Sequence, residues 1–392
     1  MYQPEASPHT RVVEIDGVDA SVLSSVERVD ISLRENEHDH ATVILAGVGP
    51  TAVTDYIDRL IRIRITLPDG SSFVFAGSIL SVTPTHKSRS GRANGSLLQE
   101  ASLSCLGASS AMRGKRTRLW RDFSVKSMVA DFAIDYKFSY SCPDNTSTIA
   151  SMSQRGMSDW EALTKACKMS GLAVNVHGTE IHVWDPMNAL KHGAPSGIIK
   201  TLDAASGTSV GPGLIIEFEG SFGTAHAFGA VTQESITILD SDGQLLSVSS
   251  SDLLNASPPA GEAITSPLND SYGVDAQSVF SAQRHLKASR AYADAYVAKV
   301  ITTGVAGPVP GSALGVEGFN GEFDGLWLVR GMEMKTTRPG QFLTEWDLSR
   351  ATKGATYNNP VILNTYSTAP HPKLESGAWR ASTRREHVYS SN

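Results

Sequence analysis

The stretch from Ser158 to Pro186, SDWEALTKACKMSGLAVNVHGTEIHVWDP, constrains the fold more than any other, because helix, cap, turn and strand signals agree along it. Ser158 and Glu161 have the spacing of a capping box, in which each side chain satisfies a backbone N–H that the first helical turn leaves open. Three residues then recur at the spacing of one buried helical stripe: Trp160, Leu163 and Cys167. Gly171 supplies the left-handed residue that ends such a helix.

A tight hairpin is predicted directly after this helix. Leu172–Val176 alternates as a strand does, Gly178-Thr179 fits a two-residue loop with glycine first, and Ile181–Trp184 returns antiparallel before Asp185-Pro186 stops it. The unit is amphipathic and holds no group poised to attack a bond. It therefore predicts a docking module, with Trp160, Leu163 and Trp184 as structural or interface residues.

The composition is that of a globular protein with two or three domains, since the chain has 392 residues, 41% of them hydrophobic and 19% charged. No apolar run approaches the roughly 20 residues of a membrane helix, and the first residues, MYQPEASPHT, lack the pattern of a secretory signal. We therefore expect a soluble protein without a membrane anchor, made in a reducing cytoplasm. Three cysteines without CxxC spacing predict neither a disulfide framework nor a zinc site, and a net charge of −6 disfavours a nucleic-acid-gripping surface.

Residues 11–112 predict a first β-barrel, after an N-terminal segment at 1–10. Apolar and polar residues alternate in two strands, with Val29, Ile31 and Leu33 in one and Ile61, Ile63 and Ile65 in the other. Pro68-Asp69-Gly70 is a turn that joins the second strand to 72–82, and 41–46 and 97–106 add further strands. Five or six short strands in about a hundred residues favour a closed barrel or sandwich. A basic, glycine- and serine-rich loop is predicted at 86–96.

Residues 113–195 predict a compact α/β unit inserted after that barrel. Ser124 is a plausible N-cap, and apolar residues follow it at helical spacing up to Tyr136, so a first helix is expected to pack against the helix that begins at Ser158. The densest basic cluster of the chain opens this unit: Arg113, Lys115, Arg116, Arg118 and Arg121. A solvated linker is the favoured interpretation of the cluster, and an inter-subunit or partner contact is the alternative.

Residues 196–350 predict a second β-barrel, with strands at 214–219, 235–239, 297–305, 326–334 and 342–348. It is interrupted at 247–296 by a long Ser/Pro-rich loop, of a length typical of functional or disordered loops, and then by a helix. Residues 351–392 have few aliphatic side chains and predict an extended C-terminal arm. The fold class is therefore mainly β with an α/β insertion.

Two blocks of this chain resemble the baseplate hub proteins of tailed phages and contractile injection systems, the late control protein D type. The first block runs through LSCLGASSAMRGKRTRLW, FSVKSMVADFAIDY and SMSQRGMSDWEALTKACKMSGLAVNVHGTEIHVWDP, and the second is VPGSALGVEGFNGEFDGLWLVRGMEMKTTRPGQFLTEWDLSRA. With the N-terminal strand pattern, the resemblance covers about residues 10 to 351. The long members of that family continue into a β-spike, and no such repeat follows the second block here.

The resemblance implies two tube-type barrels in one chain and a homotrimer that encloses a channel. It implies a structural hub in the virion, at the distal tail or baseplate, that matches a sixfold tail tube to a threefold tip. The partners would be a tail tube or distal tail protein, a tip or spike protein and a tape-measure protein, with DNA passing through the lumen unbound. No cofactor is implied. Trp327 is expected on a core strand of the second barrel, and the cluster with Arg113, Arg116 and Arg118 away from a neutral to acidic lumen.

Signals of chemistry are weak throughout the chain. GASSAMRGKRT departs from a phosphate loop at two positions, and His38 with His40 lacks a third metal ligand, so a polar turn is the better interpretation. Glu217 and Glu219 lie two apart on a strand, where alternating acids usually mark the wet face. Neither a G-x-S-x-G elbow nor an H-E-x-x-H helix occurs. We therefore expect no enzyme; the alternatives are a cell-wall-degrading enzyme of the tail tip and a type VI effector carrier.

Overall fold

The computed structural model describes residues 10–18, 26–46, 54–67, 69–88, 97–144, 148–186, 189–190, 195–202, 212–222, 228–232, 235–239, 245–249, 262–265, 296–319, 323–337 and 341–350. The helix predicted before Tyr296, most of the basic loop at 86–96 and the arm from 351 lie outside these residues. No helix among them is both long and apolar enough to cross a lipid bilayer.

One long sheet dominates the structure. Its strands are β1 Thr10–Ile15, β2 Val26–Arg34, β3 His40–Ala46, β4 Leu60–Thr66, β5 Ser72–Ser88, β6 Leu97–Gly107, β12 Gly197–Lys200, β13 Ile215–Phe222, β18 Tyr296–Thr303, β19 Ala313–Glu317, β20 Gly325–Thr337 and β21 Gln341–Arg350. Ten of them form the path β1-β4-β5-β6-β3-β2-β20-β21-β18-β13, and β19 adds β12 beside β20. The sheet draws on both predicted β regions.

Strand β20 joins the two regions. Its first half pairs with β19, its second half pairs with β2, and β21 runs along its other side. The pairing of β2 with β20 is antiparallel and runs from Val29 opposite Thr336 to Arg34 opposite Gly331. The fold is thus mainly β with a curled sheet, as the class predicted. Two separate barrels are not shown, because within the described residues the strands of both regions continue into one another.

The sheet core lies on one side of this sheet. Every second residue of its strands is buried, as the period-two pattern predicted: Val29, Ile31 and Leu33 are all 0% exposed, and Ile61, Ile63 and Ile65 at most 1%. Trp327, Phe342 and Trp346 close the same core. The turn predicted at Asp69-Gly70 is present, since the Gly70 N–H donates to the Leu67 carbonyl at 3.0 Å.

A second apolar core, here called the insertion core, is formed by residues from Ala108 to Val183. Its elements are β7 Lys115–Ser124, helix α1 Val125–Tyr136, β8 Ser139–Ser141, β9 Thr148–Ser158, helix α2 Asp159–Ser170, β10 Ala173–His177 and β11 Glu180–Trp184. Both helices begin with a capping box, and α2 ends at Gly171 with φ 82°. These caps, the α1–α2 packing and the hairpin confirm the sequence-based expectations.

The basic cluster lies on a strand, which corrects the solvated-linker interpretation. Strand β7 carries Lys115 to Arg121 and pairs antiparallel with β9. The sequence did not indicate this strand, because a half-buried strand usually has an apolar residue at every second position and the first four residues of β7 are all polar. Two small sheets complete the described residues, β14 Phe228–Thr232 with β17 Glu262–Thr265 and β15 Ser235–Leu239 with β16 Leu245–Ser249. Strand β17 falls inside the segment at 247–296 that was predicted to hold a long Ser/Pro-rich loop and a helix.

Candidate functional site

The side of the long sheet opposite the sheet core is mainly polar, although β1 and β5 contribute apolar residues such as Val12 and Val74, and we call it the polar sheet face. Register and alternation place on it the following residues: Arg62, Arg64, Ser102, Ser104, His40, Thr42, Asp30, Ser32, Glu333, Lys335, Glu345, Asp347, Lys299, Glu217 and Glu219. Strands from both halves of the chain contribute, so this surface exists only because β2 pairs with β20.

An acidic cleft of about 180 Å³ opens at the β13 end of the polar sheet face. Its charged lining residues are Glu217, Glu219, Glu333, Glu345, Asp347, Arg34 and Lys299. Five carboxylates therefore face two cations, and the lining carries a net formal charge of −3. Such a surface repels phosphate rather than binding it.

Ion pairs hold the cleft's carboxylates in place. Lys335 Nζ lies 2.7 Å from Glu345 Oε1 and 3.6 Å from Glu333 Oε1, two carboxylates that are opposite one another in the register. The hydrogen bond to Glu345, before the nearby charges, raises the pKa of Lys335. Arg34 Nη1 lies 3.2 Å from Asp347 Oδ2. Glu217 and Glu219 make no ion pair within the part of the chain that the structure describes, so the cleft keeps a net negative charge.

The rest of the polar sheet face is neutral in its middle and basic near β1. In the middle, His40 Nε2 lies 3.0 Å from Ser104 Oγ, and burial lowers the pKa of His40. Near the other end, Arg62 is opposite Glu14 of β1, and Arg64 is exposed. The face is therefore acidic at one end, hydroxyl-rich in the centre and basic only over one strand.

The turn between β2 and β3 fastens the insertion core to the long sheet. The Asn36 N–H donates to the Val174 carbonyl at 2.7 Å, and Asn36 Oδ1 accepts from the Val174 N–H at 3.3 Å. Asn175 Nδ2 donates to the Arg34 carbonyl at 3.1 Å and to Asp39 Oδ1 at 2.8 Å. Asn36 adopts φ 60°, a left-handed conformation that asparagine tolerates better than most residues. We call these contacts the junction.

A buried acid lies at the centre of the junction. Asp39 is 2% exposed and its carboxylate faces His177, with Nδ1 of the ring 3.5 Å from Oδ2. Burial raises the pKa of Asp39, and the contacts with His177 and Asn175 oppose that shift. A second acid of the same turn, Glu35, forms a two-pronged ion pair with Arg330 of β20, in which Arg330 Nε donates to Oε2 at 2.6 Å and Nη2 to Oε1.

The tryptophans that the sequence singled out are buried at core and junction positions. Trp160 is 5% exposed and stacks on His38 of the β2–β3 turn with ring centroids 5.0 Å apart, while Leu163 is fully buried beneath it. Trp184 ends β11 and packs on Gly311, in the turn before β19, where a Cβ atom would come within 2.6 Å of Trp184 Cδ2. Both tryptophans therefore link the insertion core to the long sheet. Their role in contacts between subunits stays a prediction.

Trp327 is fully buried in β20, as expected of a core strand. Its indole N–H donates to the Phe323 carbonyl at 2.9 Å, and the guanidinium of Arg350 lies over its ring at 4.3 Å. Arg350 itself is 1% exposed and donates to the Asp324 carbonyl at 2.9 Å. The cation thus supports the tryptophan from the last described strand.

The arginine cluster divides between two sides of β7. Arg116 points inward, where its Nη1 lies 3.3 Å from both Asp135 and the buried Asp159. Arg118 joins it at 3.2 Å from Asp135. Arg113, by contrast, is exposed beside the start of β7. Asp159 also accepts from Tyr136 Oη and Gln154 Nε2, both at 2.6 Å, so a buried polar network fixes α1, α2 and β9 together.

Sequence reasoning missed the junction. The turn at 35–40 was expected to be a polar surface loop, and no sequence signal distinguishes a solvated Asp39 from a buried one. The available sequence signal was Asn36 between two acids, because asparagine tolerates the left-handed conformation that a tight turn between two strands can require. The two histidines considered as metal ligands have other partners: His38 Nδ1 lies 2.7 Å from Ser109 Oγ, and His40 contacts Ser104. The described residues hold no group of three or more His, Cys, Asp or Glu arranged for a metal.

Known structures with a similar fold are phage tail proteins. The tail protein from Neisseria meningitidis MC58 superposes with a TM-score of 0.57 at 15% identity, covering 88% of this chain and 98% of that one. The 43 kDa tail protein of prophage MuSo2 from Shewanella oneidensis gives 0.58 at 10% identity, with coverages of 88% and 98%. The E. coli c3393 protein, a component of the type VI secretion system with structural similarity to the T4 tail proteins gp27 and gp5, gives 0.55 at 10% identity, with coverages of 90% and 80%.

No protein-family model matches the sequence, and no curated protein matches it. The likeness therefore lies in the fold, and the chain has the phage tail fold that the sequence resemblance predicted.

Proposed function

We propose that this protein is a structural hub of a phage tail or a phage-like injection machine, located in the virion at the distal tail or baseplate. The observation that carries the proposal is the polar sheet face: ten strands from both halves of the chain build one surface, in a fold shared with phage tail proteins. The sheet core packs against the opposite side of the same strands.

The hub is a homotrimer in this proposal, and it adapts the sixfold tail tube to a threefold tip. Each chain contributes two β regions, so three chains place six around an axis. The strand path ends at β1 and β13. Among the described strands β1 pairs with β4 alone, whereas beside β13 an isolated bridge joins Leu214 to Lys200 of β12. An unpaired strand edge can pair with another chain, and in an assembly with closed cyclic symmetry each subunit can cover the exposed edge of its neighbour.

The polar sheet face lines the channel. DNA must slide past it without binding, because every phosphate neutralised by a basic side chain adds salt-dependent affinity. The acidic cleft and the hydroxyl-rich centre meet that requirement, and the arginines at β4 are confined to one strand. The cluster around Arg113 belongs to β7 of the insertion core, outside the long sheet.

The partners follow from the position of such a hub. A tail tube or distal tail protein would lie above it, a tip or spike protein below it, and a tape-measure protein in its channel. The role is structural rather than enzymatic. Glu217 and Glu219, the acids considered for catalysis, lie in an open cleft on a wide sheet, beside Lys299 and Glu345.

Cryo-electron microscopy of assembled particles tests this function. The expected map shows three copies of the chain around the tail axis with the polar sheet face toward the lumen. Six copies in a ring, or a polar sheet face turned outward, would contradict the hub. A turbidity assay on purified peptidoglycan tests the enzyme alternative separately, and clearing by the isolated protein would favour it.

A further inference from the structure

The antiparallel pair of strands β7 and β9 presents a second charged surface, to which the proposed hub function assigns no role. Alternation places Lys115, Thr117, Leu119 and Arg121 of β7 on its outward side, and Thr117 is opposite Arg155 of β9. Lys115, Arg121 and Arg155 are exposed, and so is Arg113 just before the strand. We call this outward side the basic ribbon.

The cations of the basic ribbon are not neutralised within the described chain. Arg116 and Arg118 on the inward side are paired with Asp135 and Asp159, but no carboxylate lies in ion-pairing distance of the four outward cations among the described residues. Two acids lie close to the ribbon without an ion pair to it: Asp122, which follows Arg121 on β7, and Glu161, whose pKa is lowered first by its hydrogen bonds with Ser158 and less by Lys115. The outward side therefore keeps a concentrated positive charge on a chain of net charge −6.

The ribbon also has an apolar contact and an available edge. Leu119 is 56% exposed in the middle of the cations, while the inward side packs through Trp120 on Phe132 with ring centroids 5.5 Å apart. Strand β7 pairs with β9 and with no other strand that the structure describes. Charged side chains on an edge strand oppose pairing with a like-charged or apolar segment, so the cations limit what can pair with β7, while Leu119 leaves an apolar contact between them.

We propose that the basic ribbon is a docking site for an extended acidic segment of another protein, which adds a strand along β7. Main-chain hydrogen bonds at the edge of β7 require the bound segment to be extended. The cations favour carboxylate side chains in that segment, and Leu119 can contact an apolar side chain that lies between them. Charge complementarity identifies the occupant, because a basic or neutral segment would leave the like charges of Lys115, Arg121 and Arg155 uncompensated. The site does not depend on the hub function and is tested apart from it.

Fluorescence anisotropy with the full chain measures this docking. The probe is a fluorescein-labelled octapeptide of alternating Glu and Val, and the comparison probes are the Lys–Val peptide, a Glu–Val peptide methylated on alternate backbone nitrogens, and an oligo-dT of eight nucleotides. The Glu–Val peptide is expected to bind saturably at low salt. The methylated peptide is expected to bind at least about fivefold more weakly, since it cannot complete the edge pairing.

A matched pair of variants locates the binding. K115E/R121E reverses two cations of the ribbon and is expected to weaken the Glu–Val peptide by about tenfold or more. K137E/K168E makes the same change in charge at exposed lysines on the ends of α1 and α2, and is expected to leave the affinity within about twofold. The comparison of the methylated and unmodified peptides is made on the wild-type protein, so it tests the edge site even if a variant fails to fold.

Three results would overturn the proposal. Equal binding of the methylated and unmodified peptides would show a charged surface without an edge site. Equal or tighter binding of oligo-dT would make the ribbon a phosphate-binding surface. Absence of peptide binding at low salt would make it a solvated face.

Discussion

The sheet core and the insertion core reach stability by different means. The sheet core is mainly apolar along its alternating strands, and the polar groups buried in these strands are paired separately: Thr302 accepts from the Trp346 indole N–H at 3.0 Å, and Arg350 lies over the Trp327 ring. The insertion core is built around a buried carboxylate, Asp159, that contacts Arg116, Tyr136 and Gln154. The sheet therefore spreads its specificity over many register positions, whereas the insertion concentrates it in one network.

The difference has a consequence for single substitutions. In the sheet core, a substitution lowers the free energy of unfolding in proportion to the apolar volume it removes or the charge it buries. In the insertion, a change of one polar atom leaves several buried partners unsatisfied. Four experiments test whether the two cores differ in this way.

The largest effect is expected from Trp327→Asp in the sheet core. It removes a fully buried indole and places a carboxylate in the sheet core, where the guanidinium of Arg350, 4.3 Å from the indole ring, is a nearby cation but cannot fill the space that the ring leaves. The cost is expected to be about 5 kcal/mol or more, which is comparable to the whole stability of a typical domain. We expect no folded protein by circular dichroism and no incorporation into particles. Leu119→Asp, at a position 56% exposed, is the control and should fold normally. A folded, incorporated Trp327→Asp variant would show that this strand is not a core element.

Asp159→Ala should destabilise the insertion core by about 3 to 5 kcal/mol, because it leaves Arg116, Tyr136 and Gln154 without their shared acceptor. Hydrogen exchange should show faster exchange in α1 and α2 than in β2 or β20. Asp135→Ala removes the other, partly exposed partner of Arg116 and should cost less than about 1 kcal/mol. Equal losses from the two variants, or loss of protection throughout the sheet, would refute a network local to the insertion.

Much of both cores could be predicted from sequence, and for a local reason. Period-two alternation marked β2 and β4, and the Ser158–Glu161 capping box marked the start of α2, because each signal depends on residues close in the chain. The pairing of β2 with β20 could not be predicted, since it joins residues about 300 apart and either region could have closed on itself.

The candidate site was less predictable than the fold. Asp39 and Asp159 are buried charges, and charged residues are expected at the surface unless their partners are known. Those partners, Asn175 and Arg116, lie far away in sequence or on a strand concealed by its basic residues. Glu217 and Glu219 were recognised as a wet strand face, but the cleft around them needs four further strands.

Acid should destabilise the insertion hairpin through His182. Burial, and to a lesser extent the charge of His177, lowers the pKa of His182 to about 4. The unfolded chain then takes up the proton first, so stability is lost as the pH falls from about 6.5 towards 4, by about 2 kcal/mol after allowance for partial exposure of the ring. Chemical denaturation at a series of pH values measures this loss, and His182→Gln should reduce it. An identical pH dependence in the variant would assign the acid sensitivity to another group, such as His38, whose pKa is also lowered to about 4.

The smallest effect is expected at the junction, where Asn36→Ala tests how the two cores are coupled. Alanine tolerates the φ of 60° less well and loses the side-chain oxygen that accepts from the Val174 N–H, while the backbone bond from the Asn36 N–H at 2.7 Å remains. We expect a loss of about 1 kcal/mol in the stability of each core. Asn36→Gly relieves the backbone strain without restoring the acceptor, so it separates the two contributions and should recover about half of the loss. Differential scanning calorimetry of the three proteins is the measurement.

The junction joins the sheet core to the polar network of the insertion core. Weakening it should therefore divide one unfolding transition into two, with the insertion core unfolding first. A single transition shifted as a whole would mean that the contacts of Trp160 with His38 and of Trp184 with Gly311 suffice to couple the cores.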